Sequence, residues 1–343
     1  MVRFIGLILA FMIAHMPIAK AYEFKQISLL FDKINSDYSE SFDIREISLS
    51  GGKILSQFDD DIKVYYTNSK AYLYFKQELV SSFNLPQDDS LVLWKNTLKE
   101  MLSAGIKYSP KISDKMPALE NEVLKTMIKH LDRYSRIENI KPATNNFDYT
   151  LKDNILYIRP AFFDNNTSSQ LKKIIGQYSN LSGLVLDLRN NHGGNFNEAI
   201  KTADLFLDDV LITYSEEKNR PTHYYSATSG DILQNKPIVV LTDEHTASAA
   251  EIVVAALSEQ NRAVIMGTRT YGKGSIQHMF KHDTQTLYLT SGYFYSPSGK
   301  PINHVGIKPQ ICTGIHNSCK ISDKDNPQKD ITKAFNFIKN HLG

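Results

Sequence analysis

The stretch "PIVVLTDEHTASAAEIVVAALSEQ", Pro237 to Gln260, decides the fold class. Ile238 to Leu241 is an unbroken apolar run of buried-strand length. From Ser248 onward, small and apolar residues continue long enough for a helix. The polar loop "TDEHTA" joins the two. Outward from this unit the same alternation repeats. Upstream, "ILYIRPAFF" reads as a strand, "SSQLKKIIGQYS" as a helix, "GLVLDLR" as a buried strand and "NFNEAIKTADLFL" as a helix. Downstream, "AVIMG" is a further strand. Strands alternating with helices imply βαβ units around a parallel sheet, hence an α/β core. In such sheets function gathers in loops beyond the carboxyl ends of the strands. Those loops are "RNNHGG", "DEHTAS" and "GTRTYGKGS".

Each loop offers chemistry and a plainer alternative. Ser248 stands where a loop enters a helix, beside free backbone N–H groups. An oxyanion formed on it could accept from the Ala249 amide; otherwise Ser248 or Thr246 is simply a helix cap. Gly193 and Gly194 permit close approach of a ligand, and an amide there could be a second oxyanion donor. The alternative is a tight turn. Lys273 is the candidate base for the serine, with neutral Gln277 placed to orient it without restoring its charge. For that, its pKa must fall from about 10.4 to roughly 7–8, a change on the order of 4 kcal/mol, most of which burial must supply. "GTRTYGKG" also nearly spells a phosphate-binding loop. That reading needs Ser or Thr after the lysine and a helix beyond it, but Gly274 and strand-like sequence follow. His192 and His245, with Asp187 and Asp243 nearby, keep a Ser-His-Asp triad open, although "TASAA" is no G-x-S-x-G elbow.

The chain has 343 residues and a net charge of +2, so nothing in its charge favours nucleic acid. "MVRFIGLILAFMIAHMPIAKA", residues 1–21, has the basic start, short apolar run and small-residue end of a secretory signal peptide. The mature chain is therefore expected to be exported, periplasmic or secreted. Its two cysteines, Cys312 and Cys319, are expected to pair in an oxidising compartment. With one histidine between them they do not complete a metal site, and neither metal nor organic cofactor is expected. Residues 22–146 read as a mainly helical region. It contains "IKVYYTNSKAYLYFKQ", which alternates like a hairpin. "KPATNNFD", Lys141 to Asp148, reads as a boundary loop, residues 147–320 as the catalytic domain and 321–343 as a helical tail.

Three segments carry a resemblance: "GLVLDLRNNHGGNFNEAIKTADLFLDD", "PIVVLTDEHTASAAEIVVAALSEQNRAVIMGTRTYGKGSIQ" and "LTSGYFYSPSGKPINHVGIKP". In order and spacing, from Tyr149 to Gln310, they resemble the C-terminal processing peptidases, or tail-specific proteases. The resemblance implies a crotonase-like α/β core and a serine peptidase with a Ser-Lys dyad. Motif by motif it puts the nucleophile on Ser248, the base on Lys273 and its orienting partner on Gln277. It puts the oxyanion donors on the amides of Gly193 and Ala249.

The chain departs from that pattern after "LDRYS", which is similar to the family's "LDPYS". The family then inserts a PDZ domain of about 90 residues, whereas here the core begins at Tyr149 and the domain is missing. That puts C-terminal selectivity in doubt. His192 and Gln310 are smaller departures. The expected partner is a protein or peptide substrate. An activating or adaptor protein, the oligomeric state and the substrate's identity are left open. The contrasting reading is a non-catalytic peptide-binding scaffold on the same fold.

Overall fold

The computed structural model describes residues 22–139, 147–228, 230–282, 285–313, 319 and 327–341. The expected signal peptide and residues 141–146 of the expected boundary loop lie outside the described residues. Residues up to Leu29 with Ile44–Thr126 make one compact unit; Leu30–Asp43 with residues from Met127 make a second. Helix α1 (Lys25–Ser36) begins in the first and ends in the second.

The first unit continues with α2 (Ile44–Lys53) and α3 (Leu55–Phe58), then β1 (Ile62–Tyr66), β2 (Lys70–Phe75) and β3 (Glu78–Asn84). It ends with α4 (Leu91–Tyr108), α5 (Pro110–Ser113) and most of α6 (Met116–Ile128). The three strands form an antiparallel sheet in the order β1-β2-β3. Ser90 caps α4 through its hydroxyl, which accepts from the Leu93 amide. The buried Glu120 carboxylate accepts from the Gln26 and Ile27 amides at 2.8 and 3.1 Å. A negative charge at the start of α1 satisfies donors that the helix leaves free.

The second unit is built on two sheets. Its elements are β4 (Arg136–Asn139), β5 (Phe147–Lys152), β6 (Ile155–Pro160), α7 (Thr167–Ile175), β7 (Gly183–Asp187) and α8 (Phe196–Asp204). There follow β8 (Leu211–Glu217), β9 (His223–Ser226), β10 (Ile238–Thr242), α9 (Ala249–Glu259) and β11 (Val264–Gly267). Last come β12 (Ser275–His282), β13 (Gln285–Tyr295), β14 (Ile311–Cys312) and α10 (Pro327–Asn340). The larger sheet has the order β14-β11-β10-β7-β6-β5 and is parallel except for the β5–β6 pair. The smaller is antiparallel, β12-β13-β8-β9, with β4 also pairing β13. Residues 136–139, read from sequence as part of the N-terminal region, thus belong to the second unit.

The apolar runs of the central strands follow from burial on both faces. Leu184, Leu186 and Val240 point into the core under α7, α8 and α9. Val185, Val239 and Leu241 point the other way, against Ala334, Phe335 and Ile338 of α10. The C-terminal helix, read as a tail, is the cover of the sheet's second face. Ile338→Ala is expected to destabilise the fold by about 2–4 kcal/mol, the usual effect of a large-to-small change in a closed core. Urea unfolding checks this: the midpoint falls with the slope unchanged. Cys312 and Cys319 are joined by a disulfide, Cα atoms 5.7 Å apart, beside β11.

Candidate active site

Ser248 follows β10 by a short loop and immediately precedes α9. Its backbone is at φ 56° and ψ −121°, a region non-glycine residues occupy only when the surroundings hold them there, at roughly 1–3 kcal/mol. The holding bonds are all present. The Ser248 amide donates to Glu251 Oε2 at 2.9 Å, Ala247 N to Asn191 O at 3.0 Å, and Tyr271 N to Thr246 O at 3.0 Å. The turn lifts the serine into a cleft of about 840 Å³ lined also by Gly193, Gly194, Ala249, Lys273 and Gln277.

Gly193 is dictated by geometry. Its φ is +93°, and a Cβ there would lie 2.7 Å from Ala247 O and 2.8 Å from Ala249 N. Its own amide donates to Asn191 Oδ1 at 2.9 Å, so this expected oxyanion donor is engaged. Among the described residues the amides of Ala249 and Gly194 have no such partner.

Lys273 lies in the loop between β11 and β12. Burial, helped by the positive charge of Arg136, brings its amine down to about 8; Asp132, Glu138 and Glu251 pull the other way. Nζ lies 5.0 Å from the centre of the Tyr134 ring, a contact that favours the charged form. Among the described residues no hydrogen bond joins Lys273 to Ser248. Gln277 Nε2 donates to Ser275 Oγ at 2.8 Å and weakly to Thr290 Oγ1 at 3.5 Å, not to the lysine. Where a Cβ would be, Gly272 and Gly274 meet the backbone at Gly306 and Asn303, at 2.9 and 2.5 Å, while Tyr271 N keeps the loop against Thr246 O.

The residue that joins the two loops is one the sequence reading missed. Glu251, on the first turn of α9, is fully buried. Its Oε1 accepts from Thr270 Oγ1 at 2.5 Å and Gly272 N at 2.8 Å. Its Oε2 accepts from Ser248 N at 2.9 Å and Lys273 N at 2.8 Å. Burial raises its pKa, against the four donors that stabilise its charge. The signal was available: Ser248-x-x-Glu251 is capping-box spacing, with a carboxylate in the first turn of an otherwise apolar stretch of helix.

Glu251 also disposes of the phosphate-loop reading. The Gly272 and Lys273 amides already serve a carboxylate, and β12 follows where a phosphate site needs a helix. The triad alternative finds no support in the bonds formed. Asp187 bonds Tyr157 and Arg189, and Asp243 accepts from backbone amides and Thr246. His245 lines a separate cavity of about 290 Å³ and its acidic neighbour is Glu244, 3.7 Å away. His192 does line the cleft, its ring 6.0 Å from that of His245. Among the described residues no group of acidic, histidine or cysteine side chains has the arrangement of a metal site.

Residues 154–313 match peptidase family S41. The chain is 37% identical over 206 residues to a carboxy-terminal-processing protease of Bartonella bacilliformis, covering 57% of this chain and 45% of that protein. It is 33% identical over 186 residues to the chloroplastic carboxyl-terminal-processing peptidase 3 of Arabidopsis thaliana, covering 52% and 36%. The chain thus spans less than half the length of these curated relatives. A solved structure of a lipoprotein from Streptococcus agalactiae covers 95% of this chain and 99% of its own, with a TM-score of 0.57 at 14% identity. That likeness is one of fold alone.

Proposed function

We propose that this chain, which carries a peptidase S41 domain at residues 154–313, is an exported serine endopeptidase of the C-terminal processing type working through a Ser248–Lys273 dyad. The observation that carries the reading is the pairing of a serine held on a strained turn with a half-buried lysine near pKa 8 in one cleft. Neutral Lys273 takes the proton of Ser248 Oγ as that oxygen bonds to the peptide carbonyl carbon. The carbonyl electrons move to oxygen, and the oxyanion accepts from backbone amides. Ala249 is one donor. Gly193 is the second once its amide leaves Asn191 Oδ1, with the unengaged Gly194 amide as the alternative. The tetrahedral species collapses, the C–N bond breaks, and Lys273 returns the proton to the leaving amine. Water then attacks the Ser248 ester, giving a proton to Lys273; the C–Oγ bond breaks, Lys273 passes that proton to Ser248 Oγ, and the new acid departs and ionises in solvent. The lysine must first leave the Tyr134 ring for the serine.

The crotonase-like assignment of the core belongs to the same proposal, supported by the parallel order of β6, β7, β10 and β11. Export is supported by the leader sequence and the Cys312–Cys319 disulfide. Among the described residues no helix is long and apolar enough to cross a membrane.

The test uses the chain from Tyr22, an unfolded protein substrate and a serine-acylating probe, with products and adduct read by mass spectrometry. New peptides with labelling confined to Ser248 support the reading. Peptide binding with neither cleavage nor labelling would replace it with the non-catalytic scaffold. The absence of a Lys273–Ser248 bond among the described residues is the observation that keeps this second reading in view.

A further inference from the structure

Arg136 stands in the same cleft as Ser248 and Lys273, brought there because β4 pairs β13 with Arg136 opposite Tyr288. Its guanidinium lies over the Tyr288 ring at 4.0 Å, which fixes the plane of the fork. Nε donates to Glu138 Oε1 at 2.8 Å and Nη1 to Tyr134 O at 3.1 Å. Nη2 has no protein partner among the described residues. A planar, always-charged donor, held on one face by the ring and bonded at Nε and Nη1, leaves Nη2 to donate to a carboxylate in a fixed direction. We propose that Arg136, backed by Tyr288, is a carboxylate-reading subsite, so that preferred peptides carry a carboxylate close to the scissile bond. The carboxylate is that of an acidic side chain or of the chain terminus. The proposal rests on the reading of the cleft as a peptide site.

The subsite has a second consequence. The groups that act on the Lys273 amine are Arg136, Asp132, Glu138, Glu251 and the Tyr134 ring. Arg136 is the charge among them that favours the neutral amine. A bound carboxylate offsets that charge, so the lysine titrates higher with such a peptide bound than with a neutral one. Carboxylate peptides therefore bind more tightly, and the acid limb of their kcat profile lies at higher pH.

Three peptides of one core sequence separate the sources: an internal Asp with an amidated end, a free terminus with no acidic side chain, and an amidated neutral peptide. Binding is measured by fluorescence anisotropy on Ser248→Ala protein, alone and with Arg136→Gln or Arg136→Lys. One carboxylate peptide is expected to bind roughly tenfold more tightly than the neutral one, the scale of a charge-assisted hydrogen bond. Arg136→Gln should remove the preference and Arg136→Lys should keep part of it. Equal binding of all three peptides, or a preference that survives Arg136→Gln, overturns the proposal, as does failure of every peptide to bind. In the active enzyme, acid limbs that coincide for neutral and carboxylate peptides also count against it. Selective binding without cleavage keeps the subsite and removes the peptidase reading, so the two failures are distinguishable.

Discussion

Replacing Lys273 by alanine is expected to lower kcat/KM for peptide cleavage by about 10³-fold or more, near the upper range for loss of a general base. In the intact enzyme, activity should rise with pH through about 8, where the half-buried amine loses its proton. At pH 7 roughly one lysine in ten is then neutral, a fraction that follows from a pKa one unit above the pH. The same shift carries a sign for stability. The lysine titrates lower in the folded chain than at its ordinary 10.5, so the unfolded chain binds the proton more strongly. Folding stability therefore rises with pH between about 8 and 10.5, and the penalty for burying the charge is fully present below 8. Its size is on the order of 3 kcal/mol. Lys273→Met should thus be more stable than the parent at pH 7, inactive, and equal to it above pH 10.5. Denaturant midpoints across that range with parallel rate profiles check both. A parent enzyme with a flat profile from pH 6 to 9, or a Met variant no more stable at pH 7, would contradict the base assignment.

How far this site could be read from sequence depends on the range of the interactions that make it. The parallel sheet was legible because Leu184, Val185 and Leu186 are all buried, alternately against the two faces, and so leave an unbroken apolar run. The Ser248 and Lys273 loops were legible because each lies beyond a strand of that sheet, where the topology gathers function. Arg136 and Tyr134 were not. They lie in a segment that reads as the end of a helical region, and only the β4–β13 pairing carries it to the cleft. Pairing across so long a stretch of chain leaves no periodicity in either partner. The packing around Gly272 and Gly274 was not legible for a related reason. The loop that fills the space beside them, 303–306, is distant in sequence and has no regular structure to announce it. Gln277 was correctly expected on a strand beside the lysine loop, but its amide is drawn to Ser275, a closer partner on the same face.

Glu251→Gln is the change expected to damage both folding and catalysis. The carboxylate accepts four hydrogen bonds, two on each oxygen, from Ser248 N, Thr270 Oγ1, Gly272 N and Lys273 N. Glutamine keeps the shape but offers one acceptor oxygen, and its NH2 must face two donors. Two buried donors lose their partner at about 1–3 kcal/mol each, so a total of roughly 2–6 kcal/mol is expected. If the amide oxygen takes the place of Oε1, the orphaned donors are Ser248 N and Lys273 N. Those bonds hold the strained serine and the lysine proposed as its base in register, and a shift of about 1 Å in such a pair can cost 10²-fold in rate. The acylation rate of Ser248 should therefore fall about 10²-fold at a temperature where the variant remains folded, while peptide affinity changes little. The alternative, in which Glu251 is only a helix cap, predicts a smaller loss of about 1 kcal/mol and an acylation rate near that of the parent. Stopped-flow acylation beside urea unfolding separates the two. The clamp reading fails if the variant acylates at the parental rate, whatever its stability.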